Sequence, residues 1–333
     1  MGRDDHPRRV SPAAFAALAF GAAALAASAF ATAYEYAGEW GSFGAGDGQF
    51  RFPTCVSYAA GILYVADTGN HRIQYFTTDG SFAGKWGSLG AGDGQFDDPS
   101  GVAAAPAGGC VYVADRDNAR VQYFTTAGSF LGKWGAPGAG PGQFDCPKGV
   151  GVAPDGTVYV ADTDNCRVQR FTAAGSFLGQ WGGAGAENGR FSFPTSAAPA
   201  PDGKVYVGDA VNNRVQYFTA AGSFLGKWGA YGTADGEFAY VAEVAVAADG
   251  TVFVSDRQNY RVQLFTPAGS FLGKWGHPGS GPGQFENAYG VATYPDQGRV
   301  FVCDTGNHRV QYFRPAAPAV APASWGRLKA LFR

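Results

Sequence analysis

Histidine is scarce in this sequence: four residues in 333, and with His6 in the leading segment only His71, His277 and His308 remain. That leaves three histidines for any metal centre, and no Ser-His-Asp or Cys-His arrangement can be read. Cysteine is nearly as sparse. Cys55, Cys110, Cys146, Cys166 and Cys303 are odd in number and unmatched in position, so no disulfide framework is expected. They read as small residues filling local space, with a single disulfide left open in an oxidising compartment. Helix signals are nearly missing after the first thirty-odd residues. Positive charge is also short where a fold would lie: residues 1–33 carry +1 and the tail from Arg314 carries +4, which leaves −7 on residues 34–313 of the total of −2. An acidic body disfavours nucleic acid as a partner.

What is present is glycine, 51 residues, and aromatics, 15% of the chain, both at regular spacing. One aspartate column runs Asp67, Asp115, Asp162, Asp209, Asp256 and Asp304, each opening the string Asp-x-x-Asn-x-Arg-(Val/Ile)-Gln-x-(Phe). A tryptophan column runs in parallel: Trp40, Trp86, Trp134, Trp181, Trp228 and Trp275. Six copies of about forty-seven residues predict a six-bladed β-propeller. In the third copy, strands are expected at 149–153, 157–161, 167–171 and 176–181, a four-stranded antiparallel meander. Small residues on the first strand suit the crowded axis, and Phe and Trp fill the widening wedge between blades. The strand 36–41 precedes the first full copy, and the last copy lacks a fourth strand. The N-terminal strand is therefore expected to complete the last blade and close the ring over residues 34–313.

The repeated string has a structural reading. Asp and Asn bond turn backbone, and Arg pairs with Asp across the hairpin. This covers Asp67, Asn70 and Arg72; Asp115, Asn118 and Arg120; Asp162, Asn165 and Arg167; and Asp209, Asn212 and Arg214. It extends to Asp256, Asn259 and Arg261, and to Asp304, Asn307 and Arg309. The run Asp67-Thr68-Gly69-Asn70-His71-Arg72-Ile73-Gln74-Tyr75-Phe76, with Gly90-Ala91-Gly92-Asp93-Gly94-Gln95-Phe96, resembles the NHL-repeat family. The resemblance covers the whole propeller and implies its fold. It leaves activity open, because the family includes RNA-binding propellers of tripartite-motif ubiquitin ligases, sensor domains of bacterial receptor kinases and the peptidylglycine-amidating lyase.

Departures from the repeat mark the candidate site. Turns between second and third strands share one face with the inter-blade loops. There Lys148, Glu243 and Tyr289 are large groups at otherwise small positions, expected to ring the channel mouth, with Arg116, Arg257 and Tyr260 further out. This face is expected to bind a protein, peptide or glycan ligand without catalysis or cofactor. The alternative is a metal-dependent lyase or hydrolase resembling the amidating lyase, with His71, His277 and His308 as zinc ligands. A calcium-dependent lactonase needs several converging oxygen ligands, and only Glu243 is placed for one.

The ends carry separate expectations. Arg3, Arg8 and Arg9 followed by an apolar stretch from Ala13 to Ala33 read as a signal peptide, residues 1–33, and hence export; a membrane anchor is the alternative. Residues 314–333 form a Pro/Ala linker and a short basic tail, with weak membrane contact open to it. A monomer is expected.

Overall fold

The computed structural model describes residues 34–106, 109–294 and 298–316. They form six four-stranded antiparallel sheets, each a meander, arranged as blades around one axis. Blades 1 to 5 run consecutively from Pro53–Ala59 to Phe271–Trp275. Blade 6 takes Ala288–Tyr294, Arg299–Asp304 and Arg309–Pro315 from the C-terminal side, and Tyr34–Trp40 as its outer strand. Closure is therefore as expected, with Tyr34 opposite Pro315 and Trp40 opposite Val310. In the third copy the strands are Pro147–Val152, Val158–Asp162, Arg167–Phe171 and Phe177–Gly182. The inner strand starts two residues early because Pro147, which has no N–H to donate, is tolerated at its first position. Residues 1–33, where a signal peptide is expected, and the basic tail beyond 316 lie outside the described residues.

The core lies between blades. Each of the six apolar clusters mixes side chains of two neighbours, as where Cys55, Tyr64 and Ile73 of blade 1 meet Val102, Val113 and Phe124 of blade 2. The fourth-strand tryptophan packs across this seam: Trp86 stands 5.5 Å from Phe124 and Trp134 5.5 Å from Phe171, ring centre to ring centre. At Gly128 (φ 88°) a Cβ would come within 2.7 Å of the Trp86 ring, so the turn must be glycine twice over, for backbone and for space. Burying each such aromatic contributes roughly 1.5–3 kcal/mol.

The Asp-Asn-Arg-Gln string clamps the loop that enters each blade. In blade 1, Asp67 Oδ2 accepts from Arg72 Nε (2.6 Å), Asn70 Nδ2 (2.9 Å) and Gln74 Nε2 (3.1 Å). Arg72 then donates to the carbonyls of Ala45, Gly46 and Gln49. The remaining oxygen, Asp67 Oδ1, accepts from Arg51 N–H at 2.7 Å. The pairing of Arg with Asp is thus as expected, whereas the backbone partners differ: Asp and Asn reach the incoming loop and not their own turn, Asn70 Nδ2 donating to Gly44 O at 2.8 Å. The contact of Asp Oδ1 with a backbone N–H, at 2.7–2.8 Å, recurs in all six blades. Burial holds all six carboxyls above the ordinary aspartate range, even against their arginines.

Candidate functional site

Two columns of the repeat decide what stands at the loop-face end of the axis. The residue after the strand-opening position is Thr54, Ser100, Lys148, Thr195, Ala242 or Tyr289. Where it is Thr or Ser, it staples neighbouring blades: Thr54 donates to Ser100 O (3.0 Å), Ser100 to Lys148 O (3.1 Å) and Thr195 to Val241 O (2.9 Å). The residue after the motif Asp behaves alike. Thr68, Thr163 and Thr305 donate to Pro99 O, Pro194 O and Pro53 O at 2.7–2.8 Å, while Arg116 and Arg257 replace threonine in blades 2 and 5. Blades 2 and 5 face each other across the ring, as do blade 3 with Lys148 and blade 6 with Tyr289. The large groups therefore occupy positions where the threonine or serine staple is missing.

Neighbouring rings hold two of these cations. Lys148 Nζ lies 4.4 Å from the centre of the Phe193 ring, and Arg257 Cζ lies 5.5 and 5.6 Å from the rings of Tyr289 and Tyr240. Arg257 Nε also donates to Asn287 Oδ1 at 3.2 Å. Phe193 and Tyr240 have left-handed backbones, φ 63° and 81°. Of thirteen left-handed non-glycine residues described, twelve fall in two columns on this face, one before each inner strand and one before each motif Arg. Such backbone costs of order 1–3 kcal/mol per residue where it is strained, and here it aims the rings that carry Lys148 and Arg257.

The electrostatics are uneven. Arg116 is paired with Asp98 and Asp117, the latter at 2.8 Å. Among the described residues, Lys148 and Arg257 form no ion pair. Burial pushes the Lys148 ammonium below its ordinary pKa, and the charges of Arg116 and Arg257 push the same way against Asp164. Burial likewise raises the Tyr289 and Tyr240 phenols, keeping both protonated as donors.

Glu243 lies one residue further along its strand and belongs to the channel. Its Oε1 is 3.9 Å from Cys55 Sγ, on blade 1. Burial raises its carboxyl to about 8, with the Cys55 thiol opposing. The channel cavity, about 160 Å³, is lined by inner-strand residues from Glu243 and Ser196 to Ala104, Pro199 and Thr293 at the far ends of those strands.

The other sequence candidates are dispersed. Tyr260 packs against the seam of blades 5 and 6, beside Trp275 and Phe285. His71 Nδ1 accepts from Asp98 N–H (3.2 Å), and His308 Nδ1 from Phe52 N–H (3.1 Å), each bridging to the next blade. His277 Nε2 lies 3.1 Å from the Gln284 amide. The structure does not bring the three histidines together. Among the described residues, the set of ligand atoms that comes within 4.8 Å is Asp145, Cys146 and Asp164. Burial and the Asp164 carboxyl push the Cys146 thiol up to about 12, which keeps it protonated. All five cysteines are free.

Sequence reasoning missed Phe193, Tyr240 and Ser196. The column preceding the inner strands reads Phe52, Asp98, Cys146, Phe193, Tyr240 and Asn287, five residue types in six copies, and that variation was the available signal for Phe193 and Tyr240, while Ser196 shares the column of Glu243.

The NHL repeat matches residues 50–76, 96–124, 144–171 and 286–313. No curated protein matches the chain. Among solved structures, a protein of unknown function from Bacteroides thetaiotaomicron is 14% identical with a TM-score of 0.65, over 85% of this chain and 76% of that one. A gluconolactonase from Xanthomonas campestris is 14% identical with a TM-score of 0.60, over 81% and 88%. Catalytically inactive virginiamycin B lyase from Staphylococcus aureus, solved with quinupristin, is 13% identical with a TM-score of 0.58, over 84% and 85%. At these identities the likeness is one of fold.

Proposed function

The chain is an NHL-repeat six-bladed β-propeller, and from that premise we propose that it is an exported, non-catalytic binding scaffold whose loop face takes an anionic group. The observation that carries the reading is the pair Lys148 and Arg257, two cations brought to one mouth without a carboxylate partner among the described residues. Gathering like charges costs free energy unless an anion joins them. A carboxylate or phosphate between Lys148 and Arg257, with the Tyr240 hydroxyl as a donor, supplies the missing charge. The rim is suited to a peptide or glycan carrying that group, because Phe43, Leu89 and Tyr231 on the same loops are each more than half exposed. Export is supported by the basic and then apolar order of residues 1–33.

The test is calorimetric titration of the purified chain with inorganic phosphate, citrate and an acidic peptide. Binding of at least one, weakened about tenfold or more by Lys148→Glu or Arg257→Glu, is the expected result. Charge reversal at both positions without any change in binding overturns the reading.

A metal-dependent lyase or hydrolase is the second reading, favoured by the fold shared with the virginiamycin B lyase and the gluconolactonase. Metal analysis of chain prepared without chelator separates the two, stoichiometric zinc or calcium supporting the enzyme.

A further inference from the structure

On the face opposite the loops, the turn between third and fourth strands covers the seam with the preceding blade. Its glycine closes on a tryptophan: a Cβ at Gly80, Gly128, Gly175, Gly222 or Gly269 would come within 2.5–3.0 Å of the preceding blade's Trp ring. At four seams a second-strand tyrosine also donates to the turn. Tyr64 reaches Thr126 O, Tyr112 Ala173 O, Tyr159 Ala220 O and Tyr206 Pro267 O, at 3.0–3.2 Å. Between blades 6 and 1 Phe301 takes the tyrosine's place, and Arg299 Nη1 donates to Thr78 O instead (3.4 Å). The seam between blades 5 and 6 has no such turn, because the last two strands of blade 6 come from opposite ends of the chain. Phe253, in the tyrosine column, has no hydroxyl to offer. Tyr34 stands in place of the glycine, its ring stacked on Trp275 at 4.9 Å.

The missing turn leaves a pocket of about 190 Å³ whose open surface is mostly apolar. Tyr34, Ala247, Ala248, Thr293 and Tyr294 line it and each keeps part of its surface exposed. Benzene fills an engineered cavity of about 150 Å³, so the space suits one aromatic side chain. At the rim Asp249 Oδ1 accepts from Thr251 N–H at 2.9 Å, and among the described residues it pairs with no cation. Burial, with the Asp249 charge nearby, pushes the Tyr34 phenol up to about 12. The Arg299 guanidinium, on the same rim, is turned to the Tyr312 ring (5.5 Å) and to blade 1.

The chain leaves the ring at this place. Pro315 is paired with Tyr34, and its Cγ lies 3.1 Å from where a Cβ on the rim residue Gly298 would stand. In the repeat, Pro315 and Ala316 correspond to Pro267 and Ala268, which open the turn of blade 5. Residues 317–333 therefore depart where a covering turn would run. They carry Trp325, the bulkiest apolar residue there, and Arg327, Lys329 and Arg333 without any acid. Their charge complements Asp249. Nine residues from Ala316 to Trp325 span at most about 30 Å, ample to turn back onto the pocket.

We propose that the C-terminal segment is a latch: the Trp325 ring fills the open seam between blades 5 and 6, with Arg327 or Lys329 on Asp249. The latch gives this seam the cover that a hairpin turn gives the other five. It lies on the face opposite the anion site and does not depend on that reading.

The test is fluorine NMR of the purified chain labelled with 5-fluorotryptophan, the Trp325 signal being the one lost in Trp325→Phe. A neutral gadolinium chelate in solution reports how open each indole is. The expected result is a Trp325 signal relaxed severalfold less by the chelate in wild type than in Asp249→Lys or Ala248→Phe, a change at an exposed rim position. Protection should persist on dilution. Asp249→Asn, which keeps an acceptor for Thr251 N–H and removes the charge, gives an intermediate exposure. Circular dichroism melting shows whether each variant is folded. Trp325 as open in wild type as in Asp249→Lys overturns the proposal, and so does protection that neither rim variant alters. Protection lost on dilution assigns the pocket to the tail of a second copy. Protection that appears only with phosphatidylglycerol vesicles assigns the tail to a membrane. Either result overturns the latch.

Discussion

The outer clamps and the axis are built from the same six copies, yet they treat polar groups in opposite ways. In each clamp a buried aspartate serves Asn, Arg, Gln and a backbone N–H together, and the arginine spends its remaining donors on loop carbonyls. At the axis and its mouth, among the described residues, Lys148 and Arg257 pair with no carboxylate, Glu243 pairs with no cation, and the buried Ser196 and Ser255 hydroxyls have no partner. Closed networks rigidify a fold, whereas open ones are held by it. The ring thus stabilises itself six times over in the clamps and keeps its unsatisfied chemistry where the copies differ.

That contrast can be broken from the clamp side. Asp209→Ala strands Arg214, Asn212 and Gln216 in a buried site and should cost about 3–5 kcal/mol, read from urea unfolding midpoints with unchanged m-value. An effect below about 1 kcal/mol would mean that the clamp is replaceable by water. The closing blade has a weaker version. Arg309 Nη1 donates to Glu39 Oε2 at 2.9 Å, where other blades use a loop carbonyl. Glu39→Ala should cost about 1–3 kcal/mol by the same measurement.

Glu243 should respond with the other sign. Its folded pKa of about 8 lies above the unfolded 4.5, so the folded state holds this proton more tightly. The resulting stabilisation is complete below about pH 4.5 and is lost as pH rises to 8. Glu243→Gln should therefore melt several degrees higher than wild type at pH 8 and show a flatter pH dependence of Tm. A lower Tm at pH 8 would place Glu243 with the structural residues. The smallest effect belongs to the exposed pair Lys85–Asp47 at 2.5 Å, where Lys85→Ala should change stability by less than about 1 kcal/mol.

Sequence and structure agree where the chain repeats. Six aspartates, six tryptophans and complementary deficits at Tyr34–Trp40 and in the last copy fix blade number and closure, because each copy votes for the same geometry. The site is less legible because its residues occur once. Lys148, Tyr289 and the arginines stand out as large groups in small columns, but their direction does not. Arg116 and Arg257, read as outlying, sit within electrostatic reach of Tyr289 and Lys148. Arg257 lies against the ring of Tyr240 on left-handed backbone; that conformation recurs before the inner strand in every copy, but the side chain it carries does not. The histidines fail as a metal set for a related reason: the positions of His71 and His308 are occupied by Ala119, Cys166, Asn213 and Tyr260 in other copies, and Asn213 makes the same backbone bridge to the next blade.

The closing strand must also choose correctly among six similar docking edges. In blades 1, 2 and 5 the fourth strand presents Lys85, Lys133 or Lys274 to Asp47, Asp93 or Asp235 of the loop in front of it. The N-terminal strand carries Glu39 at that position, and the matching loop of blade 6 carries Pro282. Docked on blade 1, 2 or 5, Glu39 would face a like charge; on blade 6 it finds Arg309. The first strand of the ring therefore carries a charge-coded address for an edge about 270 residues away. Like charge thus sets it against three of the edges where it could stop early, and an opposite charge awaits it at the one that closes the ring.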